Sequence, residues 1–156
     1  MKEKAFQEYY SEYFSHCYGC GVLNEDGLRI KSYWDSEESV CAFQPRPHHT
    51  SFPGFVYGGL IASLIDCHST ATAAAAAYRS EDRAMDSDPP LRYVTASLKV
   101  DYLHPTPMGS PLELRSSIRE IKGRKIVVDT RLSVDGKECV RGELVAVRIP
   151  DTMNAG

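Results

Sequence analysis

Hydrophobic positions follow three regimes along the chain. Up to Val56 they come in short bursts between turn residues. Leu28 to Trp34 and Ser39 to Gln44 read as two short strands around the polar turn Asp35-Ser36-Glu37-Glu38. From Gly59 to about Tyr78 no further glycine or proline occurs and Ala and Leu dominate, which predicts one helix of about five turns. Beyond Pro90 the period becomes two. Val94, Ala96, Leu98, Val100 and Tyr102 alternate with Thr95, Ser97, Lys99, Asp101 and Leu103. Leu112, Leu114, Ser116 and Ile118 form a second such face, Ile126, Val128, Thr130, Leu132 and Val134 a third, and Val140 to Ile149 a fourth strand. The turns Thr106-Pro107-Met108-Gly109, Lys122-Gly123-Arg124 and Asp135-Gly136 are of hairpin length, so antiparallel pairing is expected.

Two short strands, one long helix and four strands define an α+β domain of two layers, because one helix covers only one face of such a sheet. The helix tail Ala71-Thr72-Ala73-Ala74-Ala75-Ala76-Ala77 has almost no side-chain bulk. Small residues let another backbone approach, so this helix is expected to be central and wrapped by a curved sheet. The plainer reading, a strong helix-forming run, is compatible with that. Open sheet edges favour dimerisation. Residues 1–15 read as an N-terminal extension in which Phe6, Tyr9, Tyr10, Tyr13 and Phe14 have roughly helical spacing. Residues 16–150 form the domain, and 151–156 a C-terminal tail.

Composition narrows the function. The 156 residues carry 18 Lys and Arg against 21 Asp and Glu, a formal charge of −3. A general nucleic-acid binder would show a basic surplus, so no nucleic-acid partner is expected. No apolar run is expected to reach the roughly 18–20 residues that span a bilayer, and the start lacks an apolar signal core. A cytoplasmic protein with no membrane partner is expected. Five cysteines are then expected to be free thiols.

Candidate chemistry centres on Tyr57-Gly58-Gly59 at the start of the long helix and Asp66 further along it. Glycines at a helix start leave backbone N–H groups bare, and these donors, with the helix dipole, suit a developing oxyanion. Asp66 lies in the apolar stretch Ser63-Leu64-Ile65-Asp66-Cys67, where a carboxylate is costly to bury without a task. It could attack directly or activate a water. Thr70 is four residues on, on the same helix face, and could hold that water. Against this stands the bland reading of a turn and a surface acid. His68 is two residues from Asp66, so the two do not face each other as a dyad. Cys67 is expected on another helix face as buried packing.

The stretch from Phe52 to Asp66 resembles the signature of hotdog-fold acyl-CoA thioesterases of the phenylacetate-pathway type, which reads His-Gly-Gly, six residues, then Asp. Cys17-Tyr18-Gly19-Cys20-Gly21, Asn24 and Gly27-Leu28 are similar to its member 4-like subgroup. Val100-Asp101-Tyr102-Leu103-His104-Pro105-Thr106-Pro107 and Lys122-Gly123-Arg124-Lys125 resemble its following strand and hairpin. The resemblance covers residues 16 to about 149. It implies a hotdog fold: a curved antiparallel sheet around one central helix. It also implies a homodimer or dimer of dimers with the active sites at the dimer interface, and hydrolysis of an acyl-CoA to acid and free coenzyme A. In it, the Gly58 N–H polarises the thioester carbonyl and Asp66, from the other subunit, is general base or nucleophile. Thr70 positions water, and Arg124 with Lys122 or Lys125 faces the coenzyme A phosphates. No metal or redox cofactor is implied; coenzyme A is part of the substrate. Tyr57 replaces the family histidine. A tyrosine donates a hydrogen bond but is longer and does not titrate near neutrality.

That departure motivates a second reading, a non-catalytic acyl-CoA or small-ligand binding module. A hydratase on the same fold would need an Asp–His pair that Asp66 and His68 do not supply. His48, His49 and Ser51 could give polar groups to the pocket, and Phe52, Phe55 and Tyr57 apolar ones; the bland reading makes the first three exposed loop residues. Arg119, Lys122, Arg124 and Lys125 read either as a solvated hairpin or as a phosphate clamp. Cys17-x-x-Cys20 beside His16 lacks the second pair of a structural zinc site, with Cys41, Cys67 and Cys139 expected apart, and lacks the βαβ setting of a thioredoxin motif. A packing role fits it better, and no metal is expected.

Overall fold

In the computed structural model, which describes residues 3–153, the glycine- and proline-free run becomes helix α1 (Gly58–Ser80). The alternating segments become β1 (Tyr33–Asp35), β2 (Glu38–Phe43), β3 (Tyr93–Tyr102), β4 (Leu112–Lys122), β5 (Lys125–Val134) and β6 (Lys137–Arg148). All pair antiparallel in one sheet of order β1-β2-β4-β5-β6-β3. Helix α1 packs against β3, β4, β5 and β6. The expected α+β architecture, one sheet around one long helix, is the one observed. Residues 1–2 of the expected extension and 154–156 of the expected tail lie outside the described residues.

The core divides along the helix. Its first half is bulky: Leu60, Ile61, Leu64 and Ile65 pack with Leu112, Leu114, Leu132, Val134 and Val140. Its alanine half lets the sheet come closer, with Ala73 and Ala77 against Ile126, Val128, Leu144 and Ala146. Polar groups buried between these layers are paired, as burial requires. The Ser69 and Thr130 hydroxyls are 2.7 Å apart, and Ser39 lies 2.6 Å from Thr72. His68 is held between Ser32 (2.8 Å from Nδ1) and Ser39 (3.2 Å from Nε2). Burial pushes its pKa down to about 4, so it sits there neutral.

Five expectations change. The first strand does not start at Leu28. Arg29 has a positive φ of 52°, and the Leu28 and Ile30 amides donate to Tyr18 and Gly19 rather than to a sheet. The N-terminal segment forms two 3₁₀ turns, Phe6–Tyr9 and Glu12–Phe14, instead of one helix, because Ser11 between them is extended. Its Gln7 is buried and bonded to Ser32 from both ends of its amide. Strand β3 does not form a hairpin with β4. The segment between them contains three prolines and crosses the sheet end, and β3 pairs with β6 at the sheet edge. The even alternation in β3 is broken by a bulge at Ala96, between Thr95 and Ser97. An extra residue inverts the phase of a strand. Leu98 and Val100 therefore pack on the core together with Tyr93, while Val94 is about half exposed (51%). Lastly, contrary to the expectation of no such run, α1 is long and apolar enough to cross a membrane by length and composition; most of it is buried inside the fold as the core helix.

Candidate active site

The same bulge builds the site. With its phase inverted, Thr95 turns toward α1, and its hydroxyl donates to Asp66 Oδ1 at 2.5 Å. The Thr70 hydroxyl lies 2.8 Å from the Asp66 carbonyl oxygen and 2.9 Å from the Thr95 hydroxyl. Its proton is committed within the protein, so toward a water Thr70 can only accept. Among the described residues no donor reaches Asp66 Oδ2, which leaves that oxygen to take a proton. Thr95 is a site residue that the sequence does not reveal, because uniform alternation assigns it to the polar face with Ser97 and Lys99.

Asp66, Thr70 and Thr95 form one wall of a cavity of about 240 Å³. Tyr10 and Phe14, from the N-terminal turns, form another. Arg92 completes it, with its guanidinium 5.3 Å from the Tyr10 ring centre and 5.0 Å from that of Phe14. Arg92 is only 9% exposed, its Nε has no partner, and no carboxylate pairs with it among the described residues. Arg92 does not stand out in the sequence by any local pattern, and the spacing of Tyr10 and Phe14 points to a helix and not to this cavity.

The cavity also collects sulfur. Cys67 is not apart from Cys17 and Cys20: the three Sγ atoms lie within 4.8 Å of one another, and Cys17 and Cys67 are 3.7 Å apart. Cys41 and Cys139 lie in the main core instead. The Cys17–Gly21 turn can press onto the helix because Gly19 has no side chain; a Cβ there would sit 2.3 Å from Cys67 Sγ. Hydrogen bonds from the Cys20 and Cys67 thiols, with the Gly19 and Cys20 amides, push Cys17 down to about 2. Giving its hydrogen bond to Cys17 pushes Cys20 up to about 12.

The glycine pair lies elsewhere. Tyr57 is the N-cap of α1 and makes no capping bond, so the N–H groups of Gly58, Gly59 and Leu60 find no acceptor among the described residues. The Tyr57 ring, 57% exposed, covers Gly59, where a Cβ would sit 2.5 Å from it. The Tyr102 hydroxyl donates to the Gly58 carbonyl at 2.7 Å. Eight residues at about 1.5 Å rise put Asp66 on the order of 12 Å from Gly58, too far for both to act on one atom within a chain.

The loop residues join the glycine end, not the cavity. Phe52 (79% exposed), Phe55 and Ser51 are exposed near the helix start, and Phe55 bridges to Pro107. His49 is buried, contrary to its bland reading as an exposed loop residue; its Nδ1 accepts from the Arg46 amide at 3.0 Å, and burial lowers its pKa. On the β4–β5 hairpin, Arg124 donates from Nη2 (2.9 Å) and Nε (3.3 Å) to the Arg148 carbonyl. Lys122 and Lys125 face each other across the turn, exposed and outside any ion pair among the described residues. Arg119 leaves the basic cluster: it pairs with Asp129 and with Glu143 at 2.9 Å.

One antiparallel sheet wrapped around a long central helix is the hotdog fold. The chain belongs to the thioesterase superfamily, whose family model matches residues 53–140. It is similar to a thioesterase superfamily protein of Shewanella loihica PV-4 (48% identity, 90% of this chain and 100% of that one, TM-score 0.69). It is 30% identical to the acyl-coenzyme A thioesterase THEM4 of Xenopus laevis over 81% of this chain and 53% of the other. The E. coli PaaI protein of the phenylacetic acid degradation operon shares the fold at 18% identity (79% and 81% covered, TM-score 0.64). The chain spans about half the length of the curated relatives that it matches.

Proposed function

We propose that the chain hydrolyses acyl-CoA thioesters as a homodimer, each site combining Asp66 of one protomer with the Gly58 amide of the other. The observation that carries this is the Asp66 carboxylate, fixed through Oδ1 by Thr95 and open at Oδ2 on a cavity wall. The separation of Gly58 and Asp66 along one helix calls for a second copy. Strand β3 at the sheet edge offers the means: among the described residues one side of its backbone is unpaired, and Val94 and Tyr102 are exposed along it, with Leu103 exposed just beyond its end.

In this reading a water between Oδ2 and the thioester attacks the carbonyl carbon. Asp66 accepts the proton, and the Thr70 oxygen can accept the water's second hydrogen. The Gly58 N–H stabilises the oxyanion that forms. The carbon–sulfur bond then breaks, and the coenzyme A sulfur leaves with a proton. Lys122, Lys125 and the hairpin face of Arg124 supply positive charge for the phosphates of coenzyme A. The five free thiols fit a reducing, cytoplasmic setting.

The test is thiol release from a panel of short, long and aromatic acyl-CoAs. Asp66→Asn should lower turnover by about 10²–10⁴-fold, the range of a lost general base, with an unchanged circular dichroism spectrum. Wild-type rates in that variant would rule out the mechanism. Tight binding of an acyl-CoA without release by the wild type would instead assign the binding-module role, and Tyr57→His would be the substitution to restore turnover.

A further inference from the structure

We propose that Cys17, Cys20 and Cys67 form a zinc site whose fourth coordination position opens into the cavity beside Asp66. Zinc with sulfur ligands at about 2.3 Å in a tetrahedron needs sulfur atoms about 3.8 Å apart. Cys17 and Cys67 are already at 3.7 Å, and all three sulfurs lie within 4.8 Å of one another.

The surrounding chain is built around that geometry. Cys17-x-x-Cys20-Gly21 forms a tight turn closed by the Gly21 amide on the Cys17 carbonyl at 2.8 Å. Only glycine fits at position 21, where a Cβ would meet the Ser15 oxygen at 2.4 Å, and only glycine at 19 lets the turn reach Cys67.

Packing alone explains these features less well. Cys17 is exposed, so no apolar burial holds it there. A disulfide would use two of the three thiols and strand the third. Three thiolates around a divalent ion carry one net negative charge. The buried Arg92 guanidinium, with no carboxylate partner among the described residues, lines the same cavity and compensates it. Zinc binding releases the remaining thiol protons to solvent. It also staples the 17–20 turn to α1, fixing the wall that Tyr10 and Phe14 complete.

The experiment uses the full chain, purified under reducing conditions and dialysed against zinc. Elemental analysis should find one zinc per chain. Cobalt substituted for zinc should show a thiolate-to-metal charge-transfer band and the intense visible bands of a tetrahedral site. Cys17→Ser, at an exposed position, should weaken cobalt binding by about 100-fold or more. Should that variant misfold, alkylation of the wild type decides: zinc should slow modification of Cys17 and Cys67 and leave Cys41 and Cys139 unchanged. Folded, reduced wild type with neither stoichiometric zinc nor a charge-transfer band overturns the proposal. So does a disulfide among the three thiols after zinc dialysis, or a Cys17→Ser variant with the wild-type cobalt spectrum.

Discussion

Thr95 spends its one hydroxyl proton on Asp66, and that bond fixes which carboxylate oxygen remains for chemistry. Thr95→Val keeps the shape and the β propensity of the residue and removes the bond. Turnover should fall about tenfold, equivalent to about 1.4 kcal/mol in the barrier, with unfolding midpoint nearly unchanged. A variant with wild-type kcat would show that Asp66 needs no such partner. His68 makes the opposite kind of residue: buried, neutral and not on the cavity wall. Its pKa is about 4 in the fold against about 6.5 when unfolded, so between these values the unfolded chain binds more protons. Stability should therefore fall as the pH drops from about 6.5 to about 4, by up to about 1.4 kcal/mol per unit from this residue. Urea unfolding at pH 7 and pH 5 should show a steeper loss in the wild type than in His68→Gln; equal losses would contradict the assignment. Asp66 and Thr70, which helix spacing and a family pattern single out, do line the cavity, whereas Gly58 lies away from it. Thr95, Tyr10 and Arg92 were not legible as site residues, because each reaches the cavity through a tertiary arrangement that leaves no local signal.

At the level of elements, α1 was readable to within two residues at each end, since its interior lacks every helix breaker. The strands were readable as strands, but not their order. The pairing of β3 with β6 depends on where the proline-rich segment after Leu103 crosses the sheet, and no periodicity encodes that. Closeness between layers leaves a clearer trace. Gly142 in β6 lies directly under Ile65 of α1, where a Cβ would sit 2.5 Å from Ile65 Cγ2. Both sides of that contact are core, so neither can swing away. Gly142→Ala should cost about 1–3 kcal/mol in chemical denaturation, the usual range for overpacking. An unchanged midpoint would mean that the helix and sheet are looser here than described.

The whole molecule raises the question of which residues meet across protomers. Gly58→Pro removes one N–H at the first helical position, where proline is well tolerated, and the extended Tyr57 before it suits a following proline. Alone it should lower turnover by about 10²–10³-fold, and Asp66→Asn alone should be at least as damaging. Mixed by co-expression, the two defective chains should recover about a quarter of wild-type activity, because random pairing makes half the dimers mixed and each mixed dimer has one intact site of two. No recovery would place both groups in the same protomer's site.

The cavity has two sources. Asp66 and Thr70 come from the stretch that the superfamily pattern describes, which begins at residue 53. Tyr10, Phe14, Cys17 and Cys20, on the facing wall, come from before it. The two walls of the cavity therefore come from separate lengths of chain, tied together by Gln7, Ser32 and His68. Under the proposed activity, exchanging the leading segment between relatives should change which acyl group fits, as one changes a die in a press, and leave Asp66 and Thr70 in place.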